Sequence, residues 1–307
     1  MSTDSAETIL IDSPPIRTIG VLGAGTMGHG IAQVAASAGF EVVLRDLSDD
    51  LVARGRQAIA RNLVKGIERG KTTEEQKQQT LSRITATSDL RELAAADLII
   101  EAAPENLNLK QNLLRECEAV TQAQCIWATN TSSLSITEIA RAAARPHKVV
   151  GMHFFNPVHI MRLVEIVVGR QTGDDTAAAV RQVAQQMKKE PIVVRDSPGF
   201  ASSRLGVTLG LEAMRMVEQG VASARDIDTA MELGYNHPMG PLRLTDLVGL
   251  DVRLSIAEYL HSKLGSETFR PPDILRRLVS EGKLGKKSGE GFYRWNEHDG
   301  AHSAYTT

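Results

Sequence analysis

The stretch Ile16–Asp46, IRTIGVLGAGTMGHGIAQVAASAGFEVVLRD, decides the fold. An apolar run, Ile16–Leu22, enters Gly23-Ala24-Gly25-Thr26-Met27-Gly28 directly. Ile31, Val34, Ala35 and Ala38 then recur at helical spacing, and a second apolar run, Glu41–Arg45, ends in Asp46. Strand, glycine turn, helix and strand in this order make a βαβ unit. Each glycine of the GxGxxG pattern has its own task. Gly23 allows the tight turn, Gly25 lets the backbone approach a pyrophosphate, and Gly28 lets the helix pack on the strand. The helix opening near Thr26 offers its free N–H groups to phosphates. Asp46 lies 18 residues beyond Gly28, close to the spacing of an acid that grips ribose hydroxyls. The unit therefore reads as a dinucleotide site. The Asp46 carboxylate repels a 2′-phosphate and favours NAD over NADP, although Arg45 beside it works in the opposite sense.

Working outward, further strand-like runs are Arg83–Ala86, Asp97–Ala102, Gln124–Ala128, Lys148–His153, Leu163–Val168 and Pro191–Arg195, with amphipathic segments between most of them. Such alternation implies a parallel sheet covered on both faces. A helix near 107–121 sets Leu109, Leu113, Cys117 and Val120 on one stripe, and one near 174–189 aligns Val180, Val183, Ala184 and Met187. The polar segment 51–82 has helical periodicity and carries Arg54, Arg56, Arg61, Lys65, Arg69 and Lys71. It reads either as a solvated helix face or as a phosphate-contacting one.

The texture changes at Asp196-Ser197-Pro198-Gly199. Beyond it the pattern is helical, over about 200–219, 224–233, 241–247, 249–263 and 272–281. The expected fold is α/β, a Rossmann-type doubly wound N-terminal domain over 16–197 followed by an all-α C-terminal domain over 198–307. Residues 1–15 read as a polar, flexible arm. The C-terminal helices carry more Leu, Met and Val than a solvated monomer needs, which points to packing on a second subunit.

Composition narrows the function. The 307 residues carry 35 basic and 37 acidic side chains, a formal net charge of −2, which argues against a general binder of nucleic acid or of anionic membranes. No apolar run is long enough for a membrane helix, and the start of the chain does not read as a secretory signal. The two cysteines, Cys117 and Cys125, are too few for a disulfide framework or a zinc site, and no metal is expected. A reducing, cytoplasmic location follows.

Three segments beyond the glycine loop look chemical. Asn130-Thr131-Ser132-Ser133 follows a strand, where ligands of doubly wound sheets gather; it reads equally well as a helix cap. His153-Phe154-Phe155-Asn156-Pro157 also follows a strand, and its position sets His153 above the other histidines as a candidate base. Glu165 stands inside the run Leu163–Val168; a carboxylate buried among Leu, Val and Ile needs a partner, and an imidazole is an obvious one.

Together GAGTMG, EAAPENLNLK, ATNTSSLSITEIA, GMHFFNP, LVEIV, DSPGF, DIDTAM, HPMGPL and GKKSGEGFY resemble the 3-hydroxyacyl-CoA dehydrogenase family, the bacterial 3-hydroxybutyryl-CoA dehydrogenases included, over about 16–295. The resemblance implies NAD-dependent, reversible oxidation of a (3S)-3-hydroxyacyl-CoA thioester, with short chains expected, by a homodimer formed through the C-terminal helices. It assigns catalysis to His153, Glu165, Ser132 and Asn156. It assigns cofactor contacts to the loop Gly23, Ala24, Gly25, Thr26, Met27 and Gly28, to Asp46, Glu105, Lys110, Ser132 and Asn156, and to Lys287. Substrate contacts fall on Ser132, Ser203, Asn62 and Arg69, the last two on the basic helix that would lie along coenzyme A. One position departs: Ser203 stands where many members carry an asparagine, which bears on substrate range more than on reaction type. Two rival readings are a 3-hydroxyisobutyrate-type dehydrogenase, which uses a catalytic lysine, and a non-enzymatic, crystallin-like NAD-binding protein.

Overall fold

The computed structural model describes residues 15–296 and 300–303; apart from Pro15, the arm expected over 1–15 lies outside them. The chain forms two compact units, one ending at Asp196 and the other beginning at Ser197.

The first unit alternates strands and helices: β1 (Thr18–Leu22), α1 (Thr26–Ser37), β2 (Glu41–Arg45), α2 (Asp49–Glu68), α3 (Glu74–Ser82), β3 (Ile84–Thr87), β4 (Leu98–Glu101), α4 (Leu107–Val120), β5 (Ile126–Thr129), α5 (Ile136–Ala140), β6 (Val149–Phe154), β7 (Leu163–Val168), α6 (Asp174–Gln186) and β8 (Glu190–Arg195). They build one eight-stranded sheet in the order β3-β2-β1-β4-β5-β6-β7-β8. The central strands are apolar throughout because helices cover both their faces. Ile19, Val21, Leu44, Leu98 and Ile100 are wholly buried, with Ile31, Ala32 and Ala35 of α1 packed on them.

Three expectations change. First, the sheet is not parallel throughout: β6 and β7 run antiparallel, while β7 and β8 are parallel. Second, the polar segment 51–82 is two helices. Gly70 ends the first in a left-handed conformation with φ of 65°, and Thr73 with Gln76 forms a reciprocal capping box that starts the second. Third, the apolar stripe on α4 is rotated. Leu113 and Cys117 are buried as expected, but Leu109 is 36% exposed and Lys110 only 1%. The ammonium takes the inward position because a carboxylate waits there.

Cys117 and Cys125 are free and buried. Burial pushes their thiols up to about 12 and about 11, so neither forms a thiolate near neutral pH.

The second unit holds α7 (Ser202–Glu218), α8 (Ala224–Gly234), α9 (Pro241–Val248), α10 (Leu250–Leu264) and α11 (Asp273–Ser280), then a hairpin of β9 (Tyr293–Asn296) and β10 (Gly300–Ser303). Its separate core includes Leu211, Met214, Leu242, Leu260, Leu275 and Phe292. Buried Asp246 ties the tail to the helices by accepting from the backbone N–H groups of Phe292 and Tyr293 and from Trp295 Nε1, each at 2.9 Å.

Candidate active site

The glycine loop is built by close approach. Gly23 has φ of 93° and accepts no side chain without strain. A Cβ on Gly28 would lie 1.6 Å from the Gly23 carbonyl oxygen, so α1 rests directly on the turn. A Cβ on Gly25 would meet nothing within 4 Å. Packing therefore does not demand a glycine there, and the space in front of it is open. α1 begins at Gly25 without a side-chain cap, which leaves its first-turn N–H groups to a ligand. Asp46 Oδ2 accepts from Ala24 N at 2.7 Å, so the acid is fixed beside the loop. An open cradle, an uncapped helix start and a fixed carboxylate fit a dinucleotide of the NAD type. Arg45 turns away, donating from Nε to the Ser88 carbonyl at 3.3 Å.

A buried charge network supports the neighbouring loop. Glu101, at the end of β4, is wholly buried. Its Oε1 accepts from Lys110 Nζ at 2.7 Å and its Oε2 from Thr129 Oγ1 at 2.7 Å. Lys110 also donates to the Ala103 carbonyl and lies 3.5 Å from Glu105. Glu105 Oε1 accepts from Thr131 Oγ1 at 2.6 Å, from Ser132 N at 2.9 Å and from Ser133 N at 3.1 Å. Burial pushes the Glu105 carboxyl up, but the Thr131 hydroxyl, the Lys110 charge and the serine donors outweigh it and hold the group below the usual carboxylate range. Ser132 thus sits on a loop folded around one carboxylate. The helix-cap reading belongs to a different residue, because Ser135 caps α5 by accepting from Glu138 N. The Lys110 ammonium is thus held between the carboxylates of Glu101 and Glu105.

The β6–β7 pair carries the acid–base candidates. In an antiparallel pair the start of one strand lies beside the end of the other, and the register sets His153 directly opposite Glu165. Parallel pairing aligned end to end would have set the acid opposite Gly151, two residues short of the histidine. Glu165 is fully buried, His153 is 7% exposed, and Nδ1 of the ring lies 2.8 Å from Glu165 Oε2. The Phe155 ring packs against the imidazole, tilted by 47° with centroids 4.5 Å apart. A carboxylate at Nδ1 selects the tautomer that donates there and gives Nε2 the lone pair. The loop of Ser132 is tied to this strand: Asn130 Oδ1 accepts from Phe154 N at 2.8 Å.

Asn156 is exposed, just past β6, and a cis peptide joins it to Pro157. The residues that follow are held from below by Lys189, which sequence reasoning missed. Lys189 is 7% exposed, and its ammonium donates to the carbonyls of Val158 and Met161, the latter at 2.9 Å. Burial holds its amine below the usual lysine range. Asn62 on α2 donates to Gln33 Oε1 at 3.2 Å, and Arg69, like Arg54, Arg56, Arg61, Lys65 and Lys71, is exposed. Ser203 and Lys287 belong to the helical unit. Ser203 lies half-buried on the first turn of α7, and Lys287 Nζ is 2.6 Å from Asp251 Oδ2. Among the described residues no group of three or more His, Cys, Asp or Glu could hold a metal ion, and no helix is long and apolar enough to cross a membrane.

Known proteins resemble the chain over most of its length. Residues 18–197 match the family model for the 3-hydroxyacyl-CoA dehydrogenase NAD binding domain, and residues 199–295 match the model for the C-terminal domain of the same family. The chain is 46% identical over 276 residues to the probable 3-hydroxybutyryl-CoA dehydrogenase of Deinococcus radiodurans, spanning 90% of this chain and 99% of that one. It is 41% identical over 279 residues to the 3-hydroxybutyryl-CoA dehydrogenase of Clostridioides difficile, spanning 91% and 99%. The crystal structure of the (S)-3-hydroxybutyryl-CoA dehydrogenase from Ralstonia eutropha superposes with a TM-score of 0.89 at 43% identity, over 92% of this chain and 100% of that one.

Proposed function

Because the chain belongs to the 3-hydroxyacyl-CoA dehydrogenase family, we propose that it interconverts (3S)-3-hydroxyacyl-CoA and 3-oxoacyl-CoA with NAD, on short chains such as 3-hydroxybutyryl-CoA and acetoacetyl-CoA. The observation that carries the reading is the buried His153–Glu165 pair at 2.8 Å.

In this mechanism His153 Nε2 takes the proton of the substrate 3-hydroxyl as C3 is oxidised, and returns it in the reverse direction. Glu165 orients the ring and stabilises the imidazolium. Ser132, held by Glu105, and Asn156, beside the loop anchored by Lys189, position the substrate oxygens. Gly23–Gly28 and Asp46 would hold NAD, which would supply the acceptor for the hydride leaving C3. The same proposal assigns cofactor contacts to Glu105 and Lys287, and the coenzyme A side to Asn62 and Arg69. It divides the labour between a dinucleotide-binding domain over 16–197 and a substrate and dimerisation domain over 198–307.

Dimerisation through the helical unit is part of the proposal. It is supported by apolar side chains left in solvent there, among them Leu205 at 71%, Leu233 at 83% and Tyr235 at 75% exposed. A cytoplasmic location is supported by two free thiols.

The test is NADH consumption with acetoacetyl-CoA. General acid–base catalysis contributes roughly 10²–10⁴-fold, so His153→Gln should lower turnover by about that factor while NADH affinity is kept. Intact NADH binding without turnover of any 3-oxoacyl-CoA would overturn the proposal in favour of the crystallin-like reading.

A further inference from the structure

The β5–β6 ladder stops early. It pairs residues 127–129 with residues 149–151, so Met152, His153 and Phe154 of β6 run past the end of β5. All three are buried, and a buried main-chain N–H needs an acceptor. Their other edge is paired with β7. On the β5 side the Phe154 N–H donates to Asn130 Oδ1 at 2.8 Å. A side-chain carbonyl therefore continues the hydrogen bonding beyond the last ladder pair. Asn130 is itself fixed, because its own N–H donates to the Glu101 carbonyl of β4 at 2.7 Å. The next residue, Thr131, is 1% exposed and donates to Glu105 at 2.6 Å. Asn130 thus joins the carboxyl ends of β4, β5 and β6, two residues before Ser132 and bonded to the residue that follows His153.

The two side chains that would share the substrate oxygens come from different segments, Ser132 from the loop after β5 and His153 from β6. Resting on the reading above, we propose that Asn130 is a positioning residue: through the Phe154 N–H it sets the distance and direction between the Ser132 hydroxyl and the His153 imidazole. It acts through the main chain of the two segments and not on the substrate. An amide suits this task. Its oxygen accepts as a strand carbonyl would, and it adds no charge to a site that already holds the carboxylates of Glu105 and Glu165. A serine side chain is one bond shorter and does not span the gap, whereas an aspartate has the same reach.

The experiment is steady-state NADH consumption with acetoacetyl-CoA. Asn130→Ala leaves the Phe154 N–H without its acceptor and should lower kcat roughly 10- to 100-fold, the scale of a ~1 Å misplacement of reacting groups, with KM for NADH within about twofold of the wild type. Asn130→Asp keeps the acceptor and should bring kcat back to within about threefold of the wild type. The decisive readout is a cycle with Ser132→Ala. If Asn130 acts by placing Ser132 against His153, its loss should cost little more once the serine hydroxyl is gone, because residues that act as a unit are not additive. Asn130→Ser takes the place of the alanine variant in every comparison if the latter does not fold. An alanine variant within about twofold of the wild type in kcat would overturn this proposal alone. So would an aspartate variant as slow as the alanine one, which would give the role to the amide nitrogen as a ligand donor. Losses that multiply in the cycle would overturn it too, and leave Asn130 a residue of the fold only. A wild type that binds NADH and turns over no acetoacetyl-CoA would overturn the underlying dehydrogenase reading, and this proposal with it.

Discussion

Replacing Glu165 by glutamine isolates the charge from the geometry. The carboxylate is fully buried and meets His153 Nδ1 at 2.8 Å across a fixed strand register. Glutamine has the same length and still offers an oxygen to the Nδ1 proton, so the ring keeps its tautomer and its orientation. What is lost is the stabilisation of the imidazolium as the substrate proton arrives. A hydrogen bond to a charged group is worth about 1.5–3 kcal/mol, and each ~1.4 kcal/mol is a factor of ten in rate. Glu165→Gln should therefore lower kcat roughly 10- to 100-fold, with KM for NADH close to that of the wild type. The sharper test is a cycle with His153→Gln. If Glu165 acts through the imidazole, the double variant should be about as slow as His153→Gln alone, because residues that act as a unit are not additive. Steady-state NADH consumption on folded variants, checked by thermal unfolding, gives all four rates. A Glu165→Gln enzyme within twofold of the wild type would refute the reasoning, and so would a double variant that multiplies the two single losses.

Two further outcomes follow from charges with unusual surroundings. The Lys189 amine lies below the usual 10.5 because of burial, so between its own value and 10.5 the unfolded chain holds more protons than the folded one, and stability rises with pH across that window. Lys189→Met should flatten this rise, as seen in urea unfolding at a series of alkaline pH values, and should raise KM for acyl-CoA through the loosened 158–161 turn. Asp46→Ala removes the carboxylate that accepts from Ala24 N and that repels a 2′-phosphate. The ratio of kcat/KM for NADH over NADPH should fall by roughly tenfold or more, in proportion to a lost charged contact; an unchanged ratio would assign the discrimination elsewhere.

Most of the α/β framework was legible because its signals are local. An apolar run four to six residues long bounded by glycine or polar residues is enough to find a strand, and the capping box at Thr73 and Gln76 was available to divide the segment 51–82. The reversal at β7 also had a signal. Only residues 155–162 separate β6 from β7, and a parallel connection needs about a dozen residues or more. Lys110 was harder. A charged residue on an amphipathic helix reads as surface, and its burial depends on Glu101, which lies on another element. The same holds for Lys189, whose environment is made by the carbonyls of Val158 and Met161. No local pattern announces a buried cation without a carboxylate.

The direction of the strands explains which site residues position could reveal. Asp46, Asn130 and Asn156 each lie just past the carboxyl end of β2, β5 or β6, and His153 lies one residue before the end of β6, where the crevice of a doubly wound sheet opens. All four therefore lie at the carboxyl ends of strands, within two residues of the strand terminus. Glu165 escapes that rule, because it sits third in β7, and β7 runs the other way. It was recovered by a different argument: a carboxylate among Leu, Val and Ile must have a partner. The antiparallel step joins the two arguments. It brings an acid from the interior of one strand to the end of its neighbour, so the group that orients the base comes from a position where no solvent reaches it. An acid taken from the exposed loop ends could be hydrated and would hold the imidazolium less firmly. Reversing one strand therefore sets a dry, rigid counter-charge directly opposite the base, where a parallel β7 aligned end to end with β6 would have set it opposite Gly151.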